Sequence, residues 1–395
     1  LRQFFKYPEI PCLYIKDFPD FEYRGFYHDV TRGKIPTMET IKKLIDQMAY
    51  YKLNSLQLYV EHTFEFEEYK NLNASTGYLT KEDLLEIGAY CKENFIDFVP
   101  SLSTFGHLYE LLEQPQYKHL RVLKNYETLP NFWYARMGHH TLDPENPQSI
   151  ALVESLIDQY ISCFDSEWFN ICCDETFDLR SYDALGVDSG KLYVEFVKKI
   201  IAHVQKHGKR VMMWADILLQ HPDVIKLLPE ETMFLNWYYN PIPEQMADKV
   251  SRFAQSGRKQ IVCPGTWTWH RLCENVEDEE CNITGMIDLG WKHGAVGVLN
   301  TNWGDWGNPC SLALGMYGMV LGAEDEGIIA ATGDSNDMEK KISAMKQAVA
   351  QLQKLRGCEV HTTVILSEAD EDSFRRLGVR LTSEPKYQTS KLYHG

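Results

Sequence analysis

An alternation of strand-like and helix-like segments is the feature that most restricts the fold of this 395-residue chain. Apolar runs typical of buried strands alternate with amphipathic segments from Arg24 to about residue 325. The predicted strands cover residues 24–30, 54–61, 96–103, 168–175, 210–216, 232–239, 260–267 and 296–303. The predicted helices cover residues 37–53, 80–94, 148–164, 189–208, 221–228, 243–256 and 283–293. Eight such units favour a closed (β/α)8 TIM barrel over an open doubly wound sheet, whose usual glycine-rich first turn this sequence lacks.

The same pattern divides the chain into three parts. Residues 24–325 form the predicted barrel, and residues 1–23 form a lead-in segment. The alternation stops beyond about residue 325, and residues 326–395 are expected to form a C-terminal helical extension and tail. Within this extension, residues 338–355 have the pattern of a helix, which we expect to pack on the barrel.

Charge and cysteine content exclude several classes of function. A net charge of −16 and a pI near 5.3 would repel a phosphate backbone, so no nucleic-acid partner is predicted. No stretch approaches the roughly 20 apolar residues of a membrane span, so no membrane partner is predicted. Ten cysteines without a CxxC pair favour reduced, buried thiols and a cytoplasmic location. A secreted or periplasmic location stays open, because the sequence starts at Leu1 rather than at a methionine.

Residues capable of chemistry follow most of the predicted strands. The segment NICCDET places Asp174 and Glu175 side by side at the end of the fourth strand. Residues of similar potential near the other strand ends are Glu61, His62, His107, Trp214, Asp216, Trp237, Tyr238, Tyr239, Trp267, Trp269, Trp303 and Asp305. Because these ends meet at one mouth of a barrel, the pattern predicts a cleft lined by acids and indole rings.

Each of these residues also has a purely structural interpretation. Asp174 and Glu175 are suited to cap the following helix or to pair with Arg180, and His107 taken alone is more typical of a satisfied core histidine. The tryptophans are equally suited to packing at a barrel rim. His62, His107, His139, His140 and Asp143 are residue types that can bind a metal ion. No spacing typical of a metal site connects them, so neither a metal nor a cofactor is predicted.

Five segments in order resemble glycoside hydrolase family 20, the β-N-acetylhexosaminidases. They are RGFYHDVTRGKIP, LNSLQLYVEHTFEF, STFGH, NICCDET and NTNWGDWG, and the resemblance covers about residues 21–325. Within the family, the likeness is greatest to the branch that contains hexosaminidase D and some bacterial intracellular exo-enzymes. No G-x-S-x-G elbow or phosphate-binding loop competes with this interpretation.

The resemblance implies a retaining mechanism in which the substrate's own 2-acetamido oxygen attacks C1, an exception to the two-carboxylate scheme. By position in the family motif, Glu175 would be the general acid and base, and Asp174 would orient the acetamide nitrogen. His107 would hydrogen-bond to Glu175, and Glu61 would orient His107. The expected activity is exo-acting removal of terminal β-linked GlcNAc from glycans or glycoconjugates, with GalNAc left open.

The resemblance also implies a set of sugar-binding residues. Arg24 would hold the O3 and O4 hydroxyl groups, Asp305 would contact O4 and O6, and Trp303 would form a platform. The residues expected to wall the acetamide pocket or line the cleft are Trp214, Trp237, Tyr239 and Trp267. Tyr239 is chosen over Tyr238 because strand alternation puts it on the face of Trp237. A homodimer is a further implication. The alternatives are an amino-sugar-binding barrel without activity and a barrel glycosidase with a carboxylate nucleophile.

Overall fold

Eight parallel strands close into a barrel in the computed structural model, which describes residues 18–73, 77–124 and 140–323 and two short strands farther on. Each strand pairs with the next along the chain, and the eighth pairs with the first. The strands are β1 Tyr23–Asp29, β2 Ser55–Val60, β3 Asp97–Leu102, β4 Trp168–Asn170, β5 Arg210–Trp214, β6 Met233–Trp237, β7 Gln260–Cys263 and β8 Gly297–Asn302. The predicted (β/α)8 barrel is confirmed.

One principal helix follows each strand. These helices are α1 Met38–Tyr50, α2 Lys81–Glu93, α3 Pro147–Ile161, α4 Ser189–Lys206, α5 Asp216–Gln220, α6 Pro243–Gln255, α7 Val276–Lys292 and α8 Leu312–Ala323. Shorter helices lie in the connections at Lys70–Asn73, Tyr109–Leu112 and Arg180–Asp183. None of the helices in the described part of the chain has the length and apolarity that a membrane span needs.

Local sequence signals explain where the helices begin and end. The hydroxyl of Thr37 caps α1 by accepting from the backbone N–H of Thr40, and Thr80 and Asp83 form a reciprocal capping box at α2. After α4, Gly208 takes a φ of 74°, the left-handed conformation that ends many helices. These caps fix the lengths of the helices, and through them the positions of the strand ends.

Two apolar layers hold the barrel together. One lies between the strands and the surrounding helices and includes Phe26, Leu58 and Val197. The other fills the barrel interior, where Tyr27, Tyr59, Trp214, Trp303 and neighbouring aliphatic side chains pack against one another. The barrel interior is therefore filled by packed, largely aromatic side chains, which support the residues at the barrel mouth.

Some predicted boundaries are wrong. The fourth strand ends at Asn170 rather than at residue 175, because Cys172 and Cys173 take positive φ angles of 57° and 64° that a strand cannot accommodate. Helix α7 begins at Val276, seven residues before the predicted start at 283. The predicted helix at 338–355 lies outside the described residues. Farther on, strands β9 Glu359–Val360 and β10 Arg380–Leu381 pair in parallel.

Candidate active site

The segment that carries Asp174 and Glu175 is tightly constrained. Glu175 has a φ of 48°, and its backbone N–H donates to Oδ2 of Asp216 at 3.0 Å. Gly106 passes so close that a Cβ atom there would lie 2.5 Å from the backbone oxygen of Asp174. Glycine is therefore required at residue 106, and the segment with the two acids is held by contacts from the segments that follow β3 and β5.

His107 joins the two acids. Its Nε2 atom lies 3.2 Å from Oδ2 of Asp174 and 3.3 Å from Oε2 of Glu175, and its ring stacks on His140 with centroids 4.8 Å apart. Burial by itself would lower the pKa of His107, but the two carboxylates outweigh burial and raise the pKa to about 10. The ring is therefore an imidazolium at neutral pH, and it holds both carboxylates by charge.

Arg32 is the second buried cation of the site, and it was not among the predicted site residues. Its guanidinium lies 3.0 Å from Asp305, 3.4 Å from Glu61 and 3.5 Å from Asp29, measured between the nearest nitrogen and oxygen atoms. It also lies over the rings of Tyr59 and Trp303, about 5 Å from each centroid. Arg32 follows β1 directly, so its side chain is in reach of the barrel mouth.

Two expectations need correction. The structure does not place Arg24 at the barrel mouth, because Arg24 lies near the start of β1, where its guanidinium donates to the backbone oxygens of Lys52 and Phe21. Arg32 takes the place that was expected for it. The carboxylate of Glu61 contacts Arg32 and accepts from the hydroxyl of Tyr59 at 2.9 Å. Its connection to His107 runs through Arg32, whose Nη2 lies 3.4 Å from Nδ1 of His107.

Aromatic rings enclose a pocket of about 280 Å³ above the two acids. Its lining residues are Arg32, His107, Asp174, Glu175, Trp237, Tyr239, Trp269, His270, Trp303, Asp305 and Trp306. Trp237 stacks on Tyr239 with centroids 5.1 Å apart, and the Trp303 indole N–H donates to the Tyr239 hydroxyl at 2.7 Å. The volume is near the lower end of small-ligand pockets, which span roughly 300–1,000 Å³.

Two predicted wall residues lie behind this lining. Trp214 is fully buried in the barrel interior, where it packs edge-on against Tyr27 and lies 5.8 Å from Trp303 between ring centroids. Trp267 has a φ of 52°, and its indole N–H donates to the backbone oxygen of Tyr239. Trp269, which stacks on Trp267, lines the pocket instead. Trp214 and Trp267 therefore pack against residues that line the pocket instead of lining it themselves.

Asp216 and Asp305 differ from ordinary surface acids. Burial, followed by the charges of Asp174 and Glu175, raises the pKa of Asp216 to about 7. Burial also raises the pKa of Asp305 to about 6, against the opposing effect of Arg32. Asp216 directly follows β5 in the segment WAD, so its position at a strand end was visible in the sequence, but its contact with Glu175 was not.

The structure brings together few of the residues that were weighed as metal ligands. His62 packs against Tyr69, Asp143 accepts from the hydroxyl of Tyr182, and His139 lies outside the described residues. His140 stacks on His107. The nearest arrangement to a metal site here is His107, Asp174 and Glu175, whose potential ligand atoms lie within 4.8 Å of one another. In the structure, the Nε2 atom of His107 already lies at ion-pair distance from both carboxylates.

The two central carboxylates lie on one side of the pocket. Both reach the same imidazole nitrogen, and their oxygens lie within 4.8 Å of each other. In glycosidases with two catalytic carboxylates, the two groups flank the scissile bond, one as the acid and the other as the nucleophile or base. Asp305, another acid of the lining, is paired with Arg32 at 3.0 Å. The arrangement therefore offers a neighbouring acid pair rather than an acid facing a free nucleophile.

Comparisons with known proteins identify the family of the barrel sequence. The sequence profile of the glycosyl hydrolase family 20 catalytic domain matches residues 21–289. A beta-hexosaminidase of Vibrio furnissii is 23% identical over 321 residues, which cover 69% of this chain and 48% of that protein. A beta-hexosaminidase of Porphyromonas gingivalis is 27% identical over 53% of this chain and 30% of that protein. The chain thus spans about half or less of these curated relatives.

Solved structures show the same fold. The chitobiase of Flavobacterium johnsoniae aligns with a TM-score of 0.63 at 21% identity, over 85% of this chain and 52% of that chain. An exo beta-N-acetylglucosaminidase of Vibrio harveyi, solved with N-acetylglucosamine, aligns with a TM-score of 0.60 at 17% identity, over 86% of this chain and 59% of that chain.

A second family profile matches the C-terminal part of the chain. Residues 329–393 match the C-terminal part of a domain of unknown function, DUF1846. A UPF0371 protein of Corynebacterium efficiens is 60% identical over 48 residues, which cover 12% of this chain and 10% of that protein. The profile match falls within residues 326–395, the segment that we predicted to be a C-terminal extension.

Proposed function

Because the chain belongs to glycosyl hydrolase family 20, we propose that it is an exo-acting β-N-acetylhexosaminidase. It would remove terminal β-linked GlcNAc, with GalNAc as the other candidate sugar, through an oxazolinium intermediate. The observation that carries this proposal is the adjacency of Asp174 and Glu175 at one imidazole, with the remaining acid Asp305 held by Arg32. A site without a free opposing carboxylate needs a nucleophile from the substrate, and the 2-acetamido group supplies one.

The unequal burial of the two acids supports a division of roles. The Asp174 side chain is 10% exposed and that of Glu175 is 23% exposed. The more exposed Glu175 is suited to reach the leaving oxygen, and the deeper Asp174 is suited to reach the acetamide. Within the described part of the chain, Oδ1 of Asp174 is buried without a hydrogen-bond partner. A substrate N–H donated to this atom would satisfy it and would be stabilised as positive charge develops on nitrogen.

The proposed reaction has two steps. In the first, which requires the protonated form of Glu175, the acetamide oxygen bonds to C1 as the glycosidic C–O bond breaks, and the Glu175 carboxyl group gives its proton to the departing oxygen. In the second, Glu175 takes a proton from water, the water oxygen bonds to C1, and the oxazolinium ring opens to the acetamide. Each step inverts C1, so the product retains the β configuration.

Other residues of the pocket would position the sugar. Arg32 and Asp305 offer charged donors and acceptors to ring hydroxyl groups, and the Trp303 ring offers an apolar face. The Tyr239 hydroxyl, which accepts from Trp303, is suited to donate to the acetamide oxygen. Tyr239 stacks on Trp237, which fixes the position of its hydroxyl group and of the acetamide oxygen bound to it. This matters because an intramolecular nucleophile is effective only when it is well aligned with C1.

The test compares two chromogenic substrates that differ only at C2, 4-nitrophenyl N-acetyl-β-glucosaminide and 4-nitrophenyl β-glucoside. We expect turnover of the first and a kcat/KM for the second that is lower by orders of magnitude, since the glucoside lacks the nucleophile. Comparable rates would favour a carboxylate nucleophile. Binding of N-acetylglucosamine without turnover of either substrate would favour an amino-sugar-binding barrel.

A second experiment tests Glu175 as the acid. We expect Glu175→Gln to lose most activity on a substrate with a poor leaving group and much less on an activated aryl glycoside, which departs without protonation. Equal losses on both substrates would remove Glu175 from that role.

Finer assignments are part of the same proposal. Membership of the hexosaminidase D branch is supported by the segment EHTF around Glu61, where the family at large often carries Asp. A cytoplasmic location is supported by the eight free cysteines within the described residues, seven of which are buried. A homodimer is supported only by the resemblance to the family, and light scattering of the purified chain tests it.

A further inference from the structure

A second group of histidines and carboxylates lies on the outer surface of the barrel, between α3 and α4. Nε2 of His203 lies 2.7 Å from Oδ1 of Asp158, and Nε2 of His207 lies 2.8 Å from the same oxygen. The three potential ligand atoms lie within 4.8 Å of one another. We infer that this group binds a divalent transition-metal ion of the Zn²⁺ class, which would link the two helices.

The spacing of the residues explains why they converge. His203 and His207 are four residues apart at the end of α4, and Glu154 and Asp158 are four residues apart on α3. Side chains four residues apart on a helix share one face, and α3 packs directly against α4. Two adjacent histidines on one helix therefore face two carboxylates on the next.

Glu154 provides an independent argument for metal binding. Its Oε1 lies 3.3 Å from Nδ1 of His203, and the His203 residue is more than nine-tenths buried. Among the described residues, Nδ1 of His203 makes no hydrogen bond, so it is a buried donor with the Glu154 carboxylate beside it. Histidine ligands of metals characteristically direct the other ring N–H to a carboxylate, which fixes the tautomer and leaves the opposite nitrogen as the ligand. Here that opposite nitrogen is the one that points to Asp158.

The ligand types select the class of ion. Two imidazole nitrogens and one carboxylate oxygen suit Zn²⁺, Ni²⁺ or Cu²⁺, whereas Mg²⁺ and Ca²⁺ prefer oxygen ligands alone. Metal bonds of about 2.0–2.2 Å in a tetrahedron separate neighbouring ligand atoms by roughly 3.4 Å. The Asp158 oxygen therefore needs to move away from Nε2 of His207 by roughly 0.6 Å and from Nε2 of His203 by roughly 0.7 Å. Asp158 and His207 are at least one-third exposed and able to move, and their exposure leaves room for water as a fourth ligand.

The site is separate from the catalytic pocket. In a (β/α)8 barrel the helices run antiparallel to the strands, so the C-terminal ends of α3 and α4 lie at the end of the barrel opposite the strand ends that carry Asp174 and Glu175. A metal bound there would stabilise the fold by linking neighbouring helices, and it would leave the chemistry unchanged.

The test uses the full chain and Zn²⁺ alone. Zinc binding is measured by calorimetry, and the melting temperature is measured with and without the ion. The variants are His207→Asn and Asp158→Asn, and the matched control is His119→Asn, which changes an exposed histidine that contacts Gln148. Because all variants keep His107, Asp174 and Glu175, any zinc bound in the catalytic pocket is common to them and cancels in the comparison.

We expect the wild type and His119→Asn to bind one more zinc ion than His207→Asn, and to show a rise in melting temperature with zinc that both site variants lose. Hydrolytic activity without zinc should be the same in all four proteins. Equal zinc stoichiometry and equal melting shifts in wild type and His207→Asn would overturn the inference, and the group would then be only a hydrogen-bonded cluster.

Discussion

The two ends of the barrel carry similar residue types in very different states. At the N-terminal end, the guanidinium of Arg24 donates to backbone oxygens, and the hydroxyl of Tyr23 accepts from Ser55 and Gln57. The side-chain oxygen of Gln57 in turn accepts from Asn170. These groups form a hydrogen-bonded network in which polar side chains satisfy one another.

The C-terminal end leaves hydrogen-bonding capacity unused. Among the described residues, Oδ1 of Asp174 and Oδ1 of Asp216 are buried without partners. The same end concentrates backbone strain, since eight of the ten non-glycine residues with positive φ in the described chain lie there: His107, Cys172, Cys173, Glu175, Trp267, His270, Trp306 and Asn308. Strained backbone is costly, so its concentration at one end of the barrel indicates that the functional site lies at that end.

The largest expected effect comes from neutralising the buried acid. Asp174→Asn keeps the shape of the side chain but removes the charge that would stabilise the acetamide nitrogen, so we expect kcat to fall by about 10²–10³. Steady-state kinetics on the N-acetyl-β-glucosaminide measures it. The control is Asp97→Asn at the other end, where the carboxylate accepts from Ser166 at 2.8 Å. If Asp174→Asn and Asp97→Asn had similar kcat values, the charge of Asp174 would not contribute to catalysis.

The two arginines test the comparison directly. Arg32→Lys keeps a positive charge but loses the planar guanidinium that contacts Asp305 and Glu61 together. We expect kcat/KM to fall about 10–100-fold, from charged hydrogen bonds of roughly 1.5–3 kcal/mol each. Arg24→Lys should change kcat/KM by less than about twofold, because its contacts are with the backbone far from the pocket. A loss of activity in Arg24→Lys equal to that in Arg32→Lys would contradict the assignment.

Two adjacent tyrosines give a smaller effect. Tyr239 lines the pocket, whereas the hydroxyl of Tyr238 donates to Gln245 in α6. Removing one neutral hydrogen bond typically costs about 0.5–1.5 kcal/mol, so Tyr239→Phe should lower kcat about 2–10-fold. Tyr238→Phe should leave kcat unchanged. If Tyr238→Phe lowered kcat and Tyr239→Phe did not, Tyr238 would be the residue that contacts the acetamide.

The smallest effect concerns stability and pH. Because the pKa of Asp216 is raised to about 7, the folded chain keeps that proton up to about pH 7, whereas the unfolded chain releases it near pH 4. The unfolded chain thus binds fewer protons in this window, so this group makes stability fall as pH rises through it. Asp216→Asn lacks the titrating carboxyl group. The melting temperature of this variant relative to that of the wild type should therefore rise by roughly 2–4 °C from pH 5 to pH 8.

The control for that series is Asp223→Asn, which changes an exposed residue just beyond α5. Its difference from the wild type should be constant with pH. The raised pKa of Asp305 is present in all three proteins and cancels in the differences. A constant difference for Asp216→Asn as well would show that Asp216 is ionised throughout.

The fold was predictable because alternating strand and helix patterns repeat eight times. The strand-end rule also located Asp174, Glu175, His107, Tyr239 and Asp305, all of which line the pocket. The rule should have excluded Arg24, because a strand rises about 3.3 Å per residue and β1 separates Arg24 from the barrel mouth. Arg32, which follows β1 in the segment HDVTRGK, satisfies the same rule.

Other features were beyond the sequence. The positive φ angles at Cys172, Cys173 and Trp267 come from tertiary contacts, and no residue there is a glycine that would have indicated them. They shorten β4 and put Trp269 rather than Trp267 at the pocket. The contact between Asp216 and the backbone of Glu175 joins residues 41 positions apart, so local patterns carry no trace of it.

The tryptophan lining has a practical consequence. Four of the nine tryptophans in the chain, Trp237, Trp269, Trp303 and Trp306, face the pocket within one small volume. Indole emission responds to changes in local polarity, so a sugar that displaces water from these rings changes the intrinsic fluorescence of the protein. Intrinsic tryptophan fluorescence can therefore measure sugar binding in the pocket without a dye, a label or turnover of a substrate.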